Sequence, residues 1–277
     1  MEKEHIKKSV REHYAEVARK GTSCCAGPAV AASNCCGLSN IEEVGKAIGY
    51  SKDEMAAVPE GANLGLGCGN PLALSDLKEG ETVVDLGSGA GFDCFLAVRR
   101  VGPAGRVIGV DMTPDMIEKA RANAVKAGMP NVEFRLGEIE HLPVADGYAD
   151  MIISNCVINL STDKPQVFRE ALRVLKPGGR LMVSDLVLKR PLPESVRGSV
   201  EAYAGCISGA MLREDYLQAM RDAGFKDVRV VAESSYPIGA INPDTSELAV
   251  LAEGLPPEDV AAAADSVLSV KVRAVKE

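Results

Sequence analysis

Val83-Val84-Asp85-Leu86-Gly87-Ser88-Gly89-Ala90-Gly91 runs from an apolar, β-rich segment into a tight glycine turn, and residues 92–101 behind it have helical spacing. Strand, glycine turn and helix start, in that order, form the unit that brings backbone N–H groups up to a nucleotide-type ligand. The glycines let the main chain touch what it binds. Asp111 lies about 20 residues past Gly91, at the end of the next β-rich run, where a carboxylate can accept both hydroxyls of a ribose. The dinucleotide fingerprint sets its third glycine at the position held here by Phe92, so the spacing is GxGxG and not GxGxxG.

Outward from this turn, β-rich runs at 82–86, 106–110, 132–136, 151–154 and 181–186 alternate with helical patterns at 92–101, 114–127 and 164–175. Alternation of this kind predicts right-handed crossovers on a mostly parallel sheet with helices on both faces. Helical stretches follow at 195–204 and 213–223, and candidate strands at 227–231 and 248–251 would bring the sheet to seven. The C-terminal segment is left open between helix and strand. Upstream, Ile6, Val10, Tyr14 and Val17 recur at helical spacing and predict an amphipathic helix ending near Gly21. Residues 21–37 read as an irregular segment, 41–48 as a second helix, and Leu64-Gly65-Leu66-Gly67-Cys68-Gly69-Asn70-Pro71 as a loop built for close approach. The organisation expected is a helical and loop segment over 1–72, a cofactor-binding core over 73–188, and an acceptor-binding insertion with closing strands over 189–277.

With 277 residues, 46% hydrophobic and 25% charged, the composition is globular, and no apolar run approaches the ~18 residues of a membrane span. The charged N-terminus lacks a signal peptide's apolar stretch, so a cytoplasmic protein is expected. A net charge of −8 without a basic block, no tryptophan and 4% aromatics argue against a nucleic-acid partner. In a reducing compartment the eight cysteines point to metal binding, catalysis or burial and not to a disulfide framework. No CxxC is present, which excludes common zinc-ribbon and thioredoxin patterns.

The Asp85-to-Gly91 turn resembles the first motif of the Rossmann-like class I methyltransferases. Gly137-Glu138-Ile139 resembles their adenine-contacting segment, and Lys176-Pro177-Gly178-Gly179-Arg180 extends the likeness. The resemblance implies that Asp85, Gly87, Gly89, Gly91 and Asp111 hold S-adenosylmethionine, with Met112 against the adenine, Gly137, Glu138 and Ile139 beside it, and Asn155 near the methionine moiety.

Ligands of open parallel sheets bind at the carboxyl ends of the strands, so Cys156, just after the strand ending in Ser154-Asn155, should face the reactive end of that cofactor. Cys206 falls in the inserted region after the fifth strand and Cys68 in the glycine-rich loop, so three thiols from three segments could meet. Three sulfurs suit a soft, thiophilic centre such as trivalent arsenic, which keeps a nucleophilic lone pair after bonding to them; zinc favours four ligands and has no such pair. At this point the sequence closely resembles the arsenite S-adenosylmethionine methyltransferases, through Asn63 to Pro71, Asp85 to Cys94, Ser154 to Leu160 and Gly205 to Ala210. That likeness implies Cys68, Cys156 and Cys206 as arsenic ligands, arsenite and methylarsenite as substrates, and thioredoxin or glutathione as reductant. This chain has Leu66 where some members carry tyrosine. Alternatives are methylation of a small organic acceptor, as in quinone or sterol methyltransferases, and a noncatalytic thiol module for a metalloid. Cys94 reads as a small buried residue. The pairs Cys24-Cys25 and Cys35-Cys36 read equally as thiol carriers or as part of a nonessential segment.

Overall fold

The computed structural model describes residues 3–20, 38–197, 206–235 and 256–277. Thr82–Leu86 (β1), Arg106–Asp111 (β2), Val132–Leu136 (β3), Ala149–Asn155 (β4) and Leu175–Leu188 (β5) stand where the β-rich runs predict strands, β5 extended upstream through Lys176 to Gly179. With Lys226–Ser235 (β6) and Val267–Val275 (β7) they form a seven-stranded sheet of order β3-β2-β1-β4-β5-β7-β6. β1 to β5 pair in parallel, and β7 runs antiparallel between β5 and β6. The strand expected at 248–251 lies outside the described residues. The strand lying against β5 comes from the C-terminal segment that the sequence left open, because Leu268, Val270, Val272 and Ala274 alternate inward along it.

The helices are Lys3–Lys20 (α1), Leu38–Ala47 (α2), Lys52–Ala56 (α3), Phe92–Val101 (α4), Pro114–Ala127 (α5), Lys164–Val174 (α6), Glu194–Arg197 (α7), Arg213–Asp222 (α8) and Pro257–Ser266 (α9). Of the helix expected at 195–204, only the part within α7 is described. Local chemistry sets the boundaries. Asp163 caps α6 by accepting from the Gln166 N–H at 3.1 Å, with Pro165 in the first turn. Gly128 ends α5 in the left-handed region, at φ 61°.

Strand parity sorts the core into two layers. Val84, Leu86, Ile108, Val110, Ile152, Leu181 and Val183 point to one face, under Val167 and Phe168 of α6 and Tyr216 and Met220 of α8. Val83, Val107, Met151, Ile153 and Met182 point to the other, under Phe95, Leu96 and Val98 of α4 and Ile117 and Ala120 of α5. Each such side chain contributes roughly 1.5 to 3 kcal/mol by leaving water, which makes two-sided burial the main stabilising term. Asp85 and Asp185 are carboxylates buried within these strands, against that trend. Among the described residues no helix is long and apolar enough to cross a membrane.

Candidate active site

The glycine turn sits at the carboxyl end of β1, as an open parallel sheet requires of a ligand site. Gly87, Gly89 and Gly91 adopt φ of 67°, 52° and 96°, and a Cβ at Gly89 would meet nothing within 4 Å, so that residue faces open space. Asp111, at the end of β2, accepts from Gly89 N–H at 3.0 Å and Thr113 N–H at 2.8 Å. Burial pushes its carboxyl above the ordinary range, against hydrogen bonds from Thr113 and Gly89. The Ser88 hydroxyl is buried in the turn with no hydrogen-bond partner among the described residues. An orphaned hydroxyl and a carboxylate with lone pairs to spare, on a turn open to one side, suit a ribosyl ligand such as adenosylmethionine.

The remaining cofactor candidates divide. Met112 packs half-buried in the apolar cluster that also holds Cys68, Cys156 and Cys206. Gly137 donates to the Asp111 carbonyl at 2.9 Å, and a Cβ there would lie 2.8 Å from Pro143. Ile139 is a buried core residue, and Glu138 pairs with Lys7 at 2.7 Å and Arg11 at 3.5 Å. Asp85 points under the sheet and accepts from the Cys94 thiol at 3.2 Å; burial and the nearby Asp93 carboxylate hold it well above the ordinary range. Cys94 is therefore buried, as expected, but also a hydrogen-bond donor. The Asn155 amide is engaged by the Cys68 loop, Tyr50 and Asp93.

The three proposed thiols come together. The Cys156 thiol is hydrogen-bonded to both Cys206 and Cys68, and Cys206 Sγ lies 3.0 Å from the Cys156 carbonyl. The thiol sulfurs of Cys68 and Cys156 and a carboxylate oxygen of Asp185 lie within 4.8 Å of one another. The Cys206 hydrogen bond draws the Cys156 pKa down, but the hydrogen bond to Cys68, burial and the charges of Cys68 and Asp185 outweigh it and keep the thiol well above its ordinary value. Cys156 and Cys206 both hold left-handed backbones, at φ 58° and 64°, a conformation costing of order 1 to 3 kcal/mol for a non-glycine residue and concentrated at functional sites. The pairs Cys24-Cys25 and Cys35-Cys36 lie outside the described residues.

Sequence reasoning did not single out Asp185, Tyr50, Lys164 or Lys271. Asp185 is fully buried and accepts from Asn159 Nδ2 and Leu186 N–H, each at 2.9 Å, and from the Tyr216 hydroxyl at 3.1 Å; burial pushes its carboxyl up to about 7 in spite of them. Its signal was a charge within the apolar run Leu181 to Leu186. Burial lowers the pKa of Lys164, against Asp185, Cys206 and Glu140, and that of Lys271, against Cys68, which puts both cations within electrostatic reach of the thiols.

α1 covers this ground. Ile6, Val10 and Tyr14 join the cysteine cluster, while Tyr14, Val17 and Ala18 share a second cluster with Leu64, Leu66, Ala90 and Met116. Leu66 thus makes an apolar contact between the glycine turn and α1.

Residues 77–224 match the family model described as "Methyltransferase domain". An arsenite methyltransferase of Halobacterium salinarum is 49% identical over 230 residues, which are 82% of this chain and 59% of that protein. One of Aquipseudomonas alcaligenes is 39% identical over 81% of this chain and 63% of its own length. The chain therefore spans about three fifths of these curated relatives. The crystal structure of an arsenic(III) S-adenosylmethionine methyltransferase from Chlamydomonas reinhardtii superposes with a TM-score of 0.64 at 31% identity, over 86% of this chain and 73% of that one. On its sheet, its glycine turn and these likenesses, the chain belongs to the class I methyltransferases, in the family of the arsenite S-adenosylmethionine methyltransferases.

Proposed function

We propose that this chain transfers a methyl group from S-adenosylmethionine to trivalent arsenic held by Cys68, Cys156 and Cys206. The observation that carries the proposal is the meeting of three thiols from three separate segments beside Met112, with Val157, the neighbour of Cys156, against Gly87 of the turn. Such an arrangement has no use in methylating a carbon or oxygen acceptor.

Adenosylmethionine, when bound, supplies an electrophilic methyl group. Asp111 would take the ribose hydroxyls, the turn from Gly87 to Gly91 with Ser88 would receive the rest of the nucleoside side, and Met112, Gly137, Glu138 and Ile139 would border the adenine. Asp85, just before the turn, is engaged by the Cys94 thiol of α4. Substrate binding is a condensation, in which each arsenic–oxygen bond is replaced by an arsenic–sulfur bond and the thiol proton leaves with the hydroxyl as water. The Cys206 hydrogen bond lowers the Cys156 pKa, but the Cys68 hydrogen bond and burial outweigh it, so Cys156 carries the proton that this exchange needs. Arsenic bonded to three sulfurs keeps a lone pair, so attack on the methyl group needs no general base. The protein's part is to hold the reacting atoms roughly 3 to 3.5 Å apart, in line. Methylarsenite would be a second substrate, and thioredoxin or glutathione would supply reducing equivalents. The cytoplasm, which keeps such thiols reduced, is the compartment this chemistry requires.

Incubating the protein with labelled adenosylmethionine, glutathione and arsenite, then separating the arsenic species, tests the proposal. Labelled methylarsenicals are expected; an arsenic pool left unmethylated while the donor stays bound would overturn it. Asp111→Ala should weaken adenosylmethionine binding about tenfold to a hundredfold by calorimetry with arsenite affinity kept, since the carboxylate would touch only the ribose.

A further inference from the structure

Cys68 is held at three points. Its N–H donates to Asn155 Oδ1 at 3.1 Å, its carbonyl accepts from Ser269 Oγ at 2.8 Å, and its thiol lies 3.6 Å from the Ser184 carbonyl. The glycines on either side allow the loop to lie this close. A Cβ at Gly67, which has φ 108°, would come within 2.8 Å of the Asn155 amide, and one at Gly69 within 1.9 Å of Ser184 Oγ. Asn155 is the centre of the arrangement. Its Nδ2 lies 2.8 Å from the Gly69 carbonyl, 3.0 Å from Asp93 Oδ2 and 2.9 Å from the Tyr50 hydroxyl. Tyr50 in turn donates to Asp93 Oδ1 at 2.7 Å and packs its ring edge-on against Phe92.

An amide nitrogen has two N–H groups, and here three oxygens compete for them. Asn155 therefore has no donor left for a bound molecule, although its place at the end of β4 is where a cofactor contact is expected. Asp93 lies in the first turn of α4, immediately behind the glycine turn, so the same amide ties that helix to the Cys68 loop.

We infer that Asn155, oriented by Tyr50 and Asp93, is a positioning residue that fixes the Cys68 loop so that the third thiol is presented to the substrate. The inference rests on the proposed role of Cys68 as a substrate thiol. With Asn155 in place the loop has one position; without it the Gly69 carbonyl and Cys68 N–H lose their partner and the glycine-rich backbone is released. Asn155→Ala leaves Asp93 and Tyr50 short of a buried partner and risks the fold, so Tyr50→Phe, which deletes one hydroxyl and keeps the ring, is the second variant.

The test is the alkylation rate of Cys68 relative to Cys156 within the same molecule, read by peptide mass spectrometry with and without arsenite, alongside calorimetry with adenosylmethionine. In Asn155→Ala the Cys68 to Cys156 ratio should rise about tenfold, and in Tyr50→Phe a few-fold. Adenosylmethionine affinity should stay within about twofold, and the thiols protected by arsenite should fall from three to two. An unchanged ratio in both variants, an equal rise at every cysteine, or a tenfold loss of adenosylmethionine affinity with Cys68 unaltered would overturn the inference. If Asn155→Ala does not fold, Tyr50→Phe decides. Failure of arsenite to protect Cys68 in the unmodified protein would instead sink its role as a substrate thiol, while the alkylation ratio still tests the clamp.

Discussion

At the scale of single residues, the three thiols differ in how they are held, and that difference predicts separate phenotypes. Cys156 and Cys206 stand on left-handed backbones that the surrounding sheet and turns impose, whereas Cys68 depends on a glycine-rich loop. Arsenite offers three hydroxyls to thiols and methylarsenite two, so two sulfurs suffice for the second substrate. Cys68→Ser should lose most arsenite methylation and keep much of its methylarsenite activity, while Cys156→Ser and Cys206→Ser should lose both, since a hydroxyl is a poor ligand for a soft centre. Product chromatography with each arsenical supplied separately decides; equal loss on both substrates in the Cys68 variant would contradict this division. Asp185 makes a second prediction. Its carboxyl ionises at about 7 in the folded chain against an ordinary 3.8, because burial outweighs its three donors. The unfolded chain gives up this proton first, so the group costs stability progressively as pH rises from about 4 to about 7, by up to about 4 kcal/mol. Denaturant unfolding across that window should show the wild type losing ground to Asp185→Asn, with no further divergence above the window; parallel curves would exclude it. The place of Cys156 was legible because the end of β4 fixes it, whereas the grouping of Cys68 and Cys206 with it was implied by the family resemblance and not by local pattern. Asp185 was legible only as a charge in an apolar run. Tyr50 gave no signal, because its partners Asp93 and Asn155 lie far along the chain and neither is implied by local pattern.

At the scale of elements, α1 joins the two halves of the site. Its apolar stripe of Ile6, Val10, Tyr14 and Val17 was readable from helical spacing, but what it packs against was not, since periodicity gives a face and not a partner. Lys7 and Arg11 pair with Glu138, and Arg19 with Asp115, so the helix is tied along its length to the edge where adenosylmethionine is proposed to bind. Partly exposed pairs of this kind each contribute little and weaken with salt. Glu138→Gln should therefore speed hydrogen exchange in residues 3–20 a few-fold and lower adenosylmethionine affinity by a similar factor, and high salt should do the same to the wild type. Unchanged exchange in α1 would show that apolar packing alone docks it. β7 marks the other limit of sequence reading. Val267–Val275 alternates cleanly, yet its antiparallel place between β5 and β6 is set by tertiary pairing, which local alternation does not encode.

At the scale of the whole molecule, the parallel sheet explains why residues as distant as Asp111, Cys156 and Asp185 share one edge, since each right-handed crossover returns the chain to the same end. The crossover rhythm made the core predictable from the glycine turn outward. The segments outside it, carrying α1, the Cys68 loop and Cys206, then supply what the proposed function adds to that core: two further thiols beside Cys156. The proposed function puts trivalent arsenic in a cage of three sulfurs on this chain. X-ray absorption at the arsenic edge, on the protein loaded with one equivalent of arsenite, measures that directly. The wild type should show a shell of three sulfurs, and Cys68→Ser two sulfurs with one oxygen. A shell dominated by oxygen, or one indifferent to Cys68, Cys156 and Cys206 alike, would contradict it.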